Sequence, residues 1–225
     1  MMESVQFEEE LERILPGDIP RRERVVQKAA RHLQLVAIAN EQMNLTRITS
    51  AREAAIKHIY DCVLPWAHFR AAKCVLDAGT GAGFPGIPLA VVLPEVRFVL
   101  TESTQKKARF VDHAVEALEL VNVQVVAQRA EERMATRTPE IITARAIAPM
   151  GRILELFGGA IQGGSRLLLY KGGNVDGDLA EAHKRRVIAQ VLCRYELPDG
   201  CGSRTLIEVK AARPGPRKNR RIAAA

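Results

Sequence analysis

The sequence predicts an α/β fold: a mostly parallel, seven-stranded sheet with helices on both faces, preceded by a helical cap. Three observations predict it. The stretch from Cys74 to Gly86 reads C-V-L-D-A-G-T-G-A-G-F-P-G, an apolar run followed by an acid and a glycine-rich turn. Downstream, short apolar runs alternate with helical patterns, which implies parallel strands joined by right-handed crossovers. The chain then ends on two strand-like runs with no helix between them, the pattern of one antiparallel strand inserted in the sheet.

Taken in order, residues 1–20 read as an acidic segment carrying Glu3, Glu8, Glu9, Glu10 and Glu12 and broken by Pro16, Gly17 and Pro20. Residues 21–72 read as the helical cap. Its first helix runs to Met43, with Val25, Ala29, Leu33 and Val36 on one face and Arg22, Arg24, Lys28 and Arg31 largely off it. Asn44-Leu45-Thr46 breaks the pattern, and a second helix spans Ala51 to Val63 until Pro65 stops it.

Residues 73–212 form the sheet domain. Cys74 to Leu76 suits a buried parallel strand, with Asp77 at its carboxyl end. A helix follows from Pro85 to Leu93; its prolines are tolerated because first-turn N–H groups lack intrahelical partners. Arg97–Thr101 is a second strand ending at Glu102, and Ser103 is a fitting N-cap for the helix whose apolar stripe is Val111, Ala114, Val115 and Leu118. Strands follow at Asn122–Ala127, Glu140–Ala146 and Ser165–Tyr170, the last closed by Lys171-Gly172-Gly173. Helices are expected at Met150–Phe157 and Asp176–Val187, and final strands at Val191–Glu196 and Thr205–Lys210. Residues 213–225 are a basic tail.

The chain of 225 residues is 47% hydrophobic and 26% charged, the balance of a globular domain. Its net charge of +7 favours a polyanionic partner. No apolar run reaches transmembrane length, and the acidic start has no signal-peptide core. Cys62, Cys74, Cys193 and Cys201 form no C-x-x-C pair, so neither a zinc site nor a redox motif is indicated, and a cytoplasmic location is expected.

Four glycines, Gly79, Gly81, Gly83 and Gly86, let the backbone after Asp77 turn sharply and approach a ligand closely. Gly81, Gly83 and Gly86 match G-x-G-x-x-G, with Glu102 about twenty residues on, as in a dinucleotide fold. Asp77 shifts the balance, because a carboxylate there repels a pyrophosphate and suits a ligand carrying an ammonium group and a sulfonium. D-x-G-x-G-x-G resembles the first motif of class I S-adenosylmethionine-dependent methyltransferases, which are Rossmann-like. That resemblance implies that Glu102 accepts hydrogen bonds from ribose hydroxyls.

A narrower resemblance rests on Asn44-Leu45-Thr46, His58-x-x-Asp61, D-A-G-T-G-A-G-F-P-G-I-P-L-A from Asp77 to Ala90, Glu102 with Lys106-Lys107, Arg129-Ala130-Glu131-Glu132, Arg145-Ala146 and Lys171-Gly172, in one order. Together they resemble the glucose-inhibited division protein B family, bacterial 16S ribosomal RNA guanine-N7 methyltransferases, over roughly residues 20–215. The resemblance implies a cofactor site at Asp77, Gly79, Gly81, Gly83, Phe84, Glu102, Ala130, Glu131 and Arg145. It implies catalytic roles for Arg145, Arg129 and Lys171, and substrate contacts from Asn44 and Lys171; the cations of the tail, Arg217 and Lys218 among them, are expected to meet RNA phosphates, although the chain departs from the family there by ending I-A-A-A. The partner that the resemblance implies is the 16S ribosomal RNA of the small subunit; nothing in the sequence suggests an obligate dimer, and a monomer is expected.

The residues support that acceptor independently. Exocyclic-amine methyltransferases carry an acid-or-amide–Pro–Pro–aromatic motif after the fourth strand; here the place reads A-R-A-I-A-P-M. Carbon-5 cytosine enzymes need a cysteine there, and none is present. Guanine N7 has a lone pair and no proton to remove, so it needs alignment and exclusion of water rather than a base. Arg145 suits guanine O6 or a phosphate, or else pairs structurally with Glu131 or Glu102. Lys171 suits a phosphate or a surface turn, Phe84 the cofactor or the core, and Asn44 the substrate or a helix cap. His58 and Asp61 share a helix face and read as a link between helix and domain, not as zinc ligands. Two rivals remain: an NAD-type oxidoreductase, and a non-catalytic ribosomal RNA-binding assembly factor with a relict cofactor pocket.

Overall fold

The computed structural model describes residues 4–212 except 137 and 146. Its strands are β1 (Cys74–Ala78), β2 (Arg97–Thr101), β3 (Val123–Val126), β4 (Ile141–Arg145), β5 (Arg166–Gly172), β6 (Val187–Glu196) and β7 (Ser203–Ala211). They form one sheet in the order β3-β2-β1-β4-β5-β7-β6. The first five strands are parallel, and β7 runs antiparallel to both β5 and β6. The chain leaves β1 toward β2 and β3, then returns to its other side at β4. The carboxyl ends of β1 and β4 therefore diverge into a crevice, the place where open α/β sheets bind ligands.

Four helices precede or span the cap: α1 (Ser4–Ile14), α2 (Arg22–Met43), α3 (Ala51–Ala54) and α4 (Asp61–Val63), the last two joined by a π-helical segment at Ala55–Tyr60. In the sheet domain lie α5 (Gly86–Val92), α6 (Gln105–Ala117), α7 (Ala130–Thr136), α8 (Met150–Gln162) and α9 (Asp176–Lys184). One core cluster joins the cap, α5 and α6 to one face of the sheet; a second, under α7, α8 and α9, covers the other.

Several boundaries differ from the sequence expectation. The acidic first segment is a helix, because Phe7, Leu11 and Leu15 recur every four residues and are buried, with Ile19 beyond them. Its acids occupy the remaining faces. Thr104, not Ser103, is the N-cap of α6. Gly158 and Gly159 do not end α8, since Ile161 beyond them is fully buried. Lys171 lies inside β5, paired with Thr205, and β6 begins at Val187 rather than Val191.

Candidate active site at the carboxyl edge of the sheet

Asp77 anchors the glycine loop. Its side chain is fully buried, and Oδ2 accepts hydrogen bonds from Thr80 Oγ1 at 2.6 Å and the Gly86 N–H at 2.9 Å. Oδ1 is buried with no partner. Burial pushes the carboxyl up from 3.8 to about 6, against those two donors, which favour its charged form. Space excludes a side chain at Gly86, and the backbone angle disfavours one at Gly79. A Cβ on Gly86 would lie 2.1 Å from Leu100 Cδ2 and 2.7 Å from Asp77 Oδ2. Gly79 has φ +67°, and a Cβ there would crowd Ile147 Cγ2 at 3.3 Å. At the end of β2, Glu102 accepts from the Gly81 N–H at 3.2 Å and the Thr104 N–H at 2.8 Å, one bond per oxygen. Each oxygen keeps a lone pair for a further donor.

Two cavities open along this edge. The first, about 290 Å³, lies over β1 to β3 and is lined by Gly79, Glu102, Ser103, Arg129, Ala130 and Glu131, with Phe157 behind. The second, about 520 Å³, lies over β4 and β5 beneath the cap and is lined by Lys57, His58, Asp61, Arg145, Lys171 and Arg204 among others. Ile147 belongs to the walls of both.

Arg145 leaves the end of β4 and turns toward the cap. Its Nη1 donates to the Lys57 carbonyl at 2.7 Å and approaches Asp61 Oδ2 at 3.4 Å. The π-helical segment frees that carbonyl, because the Asp61 N–H reaches back five residues to Ile56 rather than four to Lys57. The Arg145 guanidinium also sits 5.5 Å from the Phe84 ring centroid. Its acidic partner is Asp61, not Glu131 or Glu102 as the sequence alternative had it; the two glutamates line the other cavity. The link expected from Asp61 is present: Tyr195 Oη donates to Oδ1 at 3.0 Å, and Arg204 Nε lies 3.4 Å from Oδ2. Lys171 pairs with Asp178 at 3.0 Å.

Phe84 lines neither cavity. It is buried between two histidine rings, stacked on His58 at 4.6 Å and tilted against His32 at 4.7 Å. The His32 Nε2–H donates to the Ala82 carbonyl at 2.9 Å, and burial lowers the ring to about 4. His58 Nε2 lies 2.9 Å from Thr46 Oγ1; burial, with Arg145 adding repulsion, lowers it to about 3. Both rings are therefore neutral near pH 7.

Of the expected site residues, Gly79, Glu102, Arg129, Ala130 and Glu131 meet in the first cavity, and Arg145 and Lys171 meet in the second. Asp77, Gly81 and Gly83 line neither cavity and shape the glycine loop. Asn44 is the exposed C-cap of α2, at φ 49°, and lines neither cavity. Arg217 and Lys218 lie outside the described residues. Sequence reasoning missed Lys57, Ile147, Tyr195 and Arg204. Tyr195 and Arg204 are cross-strand partners on one face of the β6–β7 pair, so period-two alternation through the last strands carried that signal. Among the described residues no group of three potential ligands could hold a metal ion, and no helix is long and apolar enough to cross a membrane.

This sheet order, with its glycine loop, the acid ending β2 and the crevice between β1 and β4, defines a class I S-adenosylmethionine-dependent methyltransferase. Solved structures share the fold: a methyltransferase from Geobacter sulfurreducens matches with a TM-score of 0.58 at 14% identity, over 90% of this chain and 93% of that one. A tRNA methyltransferase from B. subtilis matches with a TM-score of 0.54 at 16% identity, over 72% and 68%. The sequence matches the family described as rRNA small subunit methyltransferase G over residues 25–201. A ribosomal RNA small subunit methyltransferase G from Solibacter usitatus is 55% identical over 208 residues, 91% of this chain and 99% of its own. One from Geobacillus kaustophilus is 31% identical over 96% of this chain and 93% of its own. The chain belongs to the rRNA small subunit methyltransferase G family. Neither the NAD-type reading nor the non-catalytic one is favoured by these matches.

Proposed function

We propose that this protein transfers a methyl group from S-adenosylmethionine to N7 of a specific guanine in 16S ribosomal RNA. One observation carries the choice of atom: the larger cavity presents cations and no available base. Lys57, Arg145, Lys171 and Arg204 line it. Asp61 is occupied by three donor side chains, and His58 is held neutral and resists protonation. An amine or hydroxyl acceptor would need a proton removed; N7 needs none.

The chain's residues fit the cofactor. The first cavity sits at the lower end of ligand-pocket sizes and adjoins the second across Ile147. Glu102 keeps lone pairs for ribose hydroxyls. Asp77 Oδ1, buried and without a partner, favours a cationic neighbour. Bound there, S-adenosylmethionine supplies a methyl activated by its sulfonium. Ala130 and Glu131 line the same wall as Arg129 and receive the adenine side, while Gly79 leaves room beside Ile147. Arg145 and Lys171 bind guanine O6 or phosphate and hold the base in line, so that the lone pair is delivered and water is kept out. Arg145 does not donate to N7, since that would occupy the attacking lone pair.

In this reading residues 21–72, with the first helix joined to them, are the acceptor-side cap, residues 73–212 the catalytic domain and residues 213–225 an RNA-contacting tail. Asn44, Arg217 and Lys218 contact the RNA, and the protein acts as a monomer in the cytoplasm. The net charge of +7 supports the polyanionic partner.

Methyl-labelled S-adenosylmethionine and unmethylated small-subunit RNA, free and within its subunit, test the proposal. Label transfer followed by borohydride–aniline cleavage at a single position is the expected result. Label without cleavage refutes N7, and no label with either substrate refutes the activity.

A further inference from the structure

Asp61 belongs to the cap, yet it touches three side chains of the sheet domain. Its side chain is 3% exposed. Arg145 and Arg204, from β4 and β7, both approach the same oxygen, Oδ2, at 3.4 Å, while Tyr195 from β6 fixes Oδ1 at 3.0 Å. Tyr195 Oη also donates to the Asp61 backbone carbonyl at 3.0 Å. Two guanidiniums lining one cavity repel each other; a carboxylate oxygen shared between them sets their spacing and direction. The π-helical segment just before Asp61 adds the Lys57 carbonyl as a second acceptor for Arg145. Nothing about helix stability requires either feature. Both aim side chains into the acceptor cavity.

We propose that Asp61 is a positioning residue for methyl transfer: a cap carboxylate that holds Arg145 and Arg204 side by side as one fork facing the RNA. This rests on the assignment of the larger cavity to the acceptor. Asp61 itself touches no substrate. Its role is to spare the guanidiniums the reorganisation they would otherwise undergo as the base arrives, and a misplacement of about 1 Å costs on the order of 100-fold in rate.

The test is single-turnover methyl transfer to small-subunit RNA by the full-length protein, with S-adenosylhomocysteine affinity measured alongside. Asp61→Asn keeps the shape and removes the charge. It is expected to lower the rate about 100-fold while cofactor affinity stays at the wild-type value. In an Arg145→Ala background the same substitution should cost no more than about tenfold, because the group it positions is gone. Tyr195→Phe, which removes only one hydroxyl from Asp61, should lower the rate with cofactor affinity unchanged, and it serves if Asp61→Asn does not fold. Arg52→Ala is the comparison. It loosens the same cap by breaking the bonds of Arg52 to Asp199 at 2.7 Å and Glu10 at 3.0 Å, away from both guanidiniums. Wild-type rates in Asp61→Asn or Tyr195→Phe overturn the proposal. So do equal losses with and without Arg145, or a loss in Arg52→Ala as large as in Asp61→Asn. Absence of transfer by the wild-type protein would instead refute the functional assignment.

Discussion

Asp77→Asn separates two roles that one carboxylate plays. In the wild-type protein the unfolded carboxyl titrates near 3.8 and the folded one near 6, because burial penalises the charge more than Thr80 and Gly86 favour it. Between those values the native state holds the extra proton, so stability falls as pH rises through the window. The gap is worth about 3 kcal/mol in full, of which about 2 kcal/mol falls between about pH 4.5 and about pH 7.5. Asparagine removes this slope. Its oxygen can still accept from Thr80 and the Gly86 N–H, but its amide then occupies the place of the unpartnered Oδ1, at a fixed cost of about 1–3 kcal/mol.

The variant's stability relative to wild type should therefore improve by about 2 kcal/mol on going from about pH 4.5 to about pH 7.5, whatever its absolute offset. Urea unfolding at the two pH values measures it. Cofactor binding should move the other way. At a hundredfold excess over its dissociation constant, S-adenosylhomocysteine should stabilise the wild-type protein by about 2.7 kcal/mol, and that gain should be lost in the variant. A stability difference that does not change with pH would refute the buried-charge argument. Retained stabilisation by S-adenosylhomocysteine would refute the ligand role of the carboxylate.

Other outcomes follow from single contacts. Gly86→Ala drives a methyl group against Leu100 and Asp77 and should destabilise the fold by about 3 kcal/mol or more, read from the urea midpoint. Ile147→Ala removes the wall shared by the two cavities, so kcat at saturating RNA and cofactor should fall by about 10- to 100-fold; an unchanged kcat would show that the junction does not align donor and acceptor. Truncation after Ala212 should weaken RNA binding and flatten its salt dependence, and an unaltered slope would exclude the tail as a phosphate contact.

The glycine-loop half of the candidate site was legible because its constraints are local. A strand end, a run of glycines and an acid one strand further on are contiguous in sequence, and their spacing follows from backbone geometry alone. Gly86 shows why: its lack of a side chain answers to Leu100 and Asp77, both within the same β-α-β unit. The first helix was hidden for the opposite reason. Five glutamates in the first twelve residues drew attention from Phe7, Leu11 and Leu15, whose spacing is what decides burial. The boundary of α8 was misread because glycine weakens a helix only by its propensity, and burial of Ile161 outweighs that. The partner of Arg145 was not legible at all, because Asp61 precedes it by 84 residues and reaches it only when the cap docks.

The division between the two cavities explains where specificity can arise. In the proposed reading the cofactor side is built by β1, β2, β3 and the turns that follow them. The proposed acceptor side draws Arg145 from β4, Lys171 from β5, Arg204 from β7 and Lys57, His58 and Asp61 from the cap. Tyr170 Oη donates to the Cys62 carbonyl at 2.8 Å and Tyr195 Oη to that of Asp61, so the cap is fastened to the sheet at the cavity's rim. Arg52, bound to Asp199 in the β6–β7 turn, adds an attachment on the outside. A cap held this way cannot shift without moving the side chains that line the larger cavity. In the proposed reading, choice of acceptor depends on cap docking, through buried charges and hydroxyls, and cofactor binding depends on the geometry of the glycine loop. Substitutions in the two sets should accordingly separate: cap residues change the RNA terms of the kinetics, and loop residues change the cofactor terms.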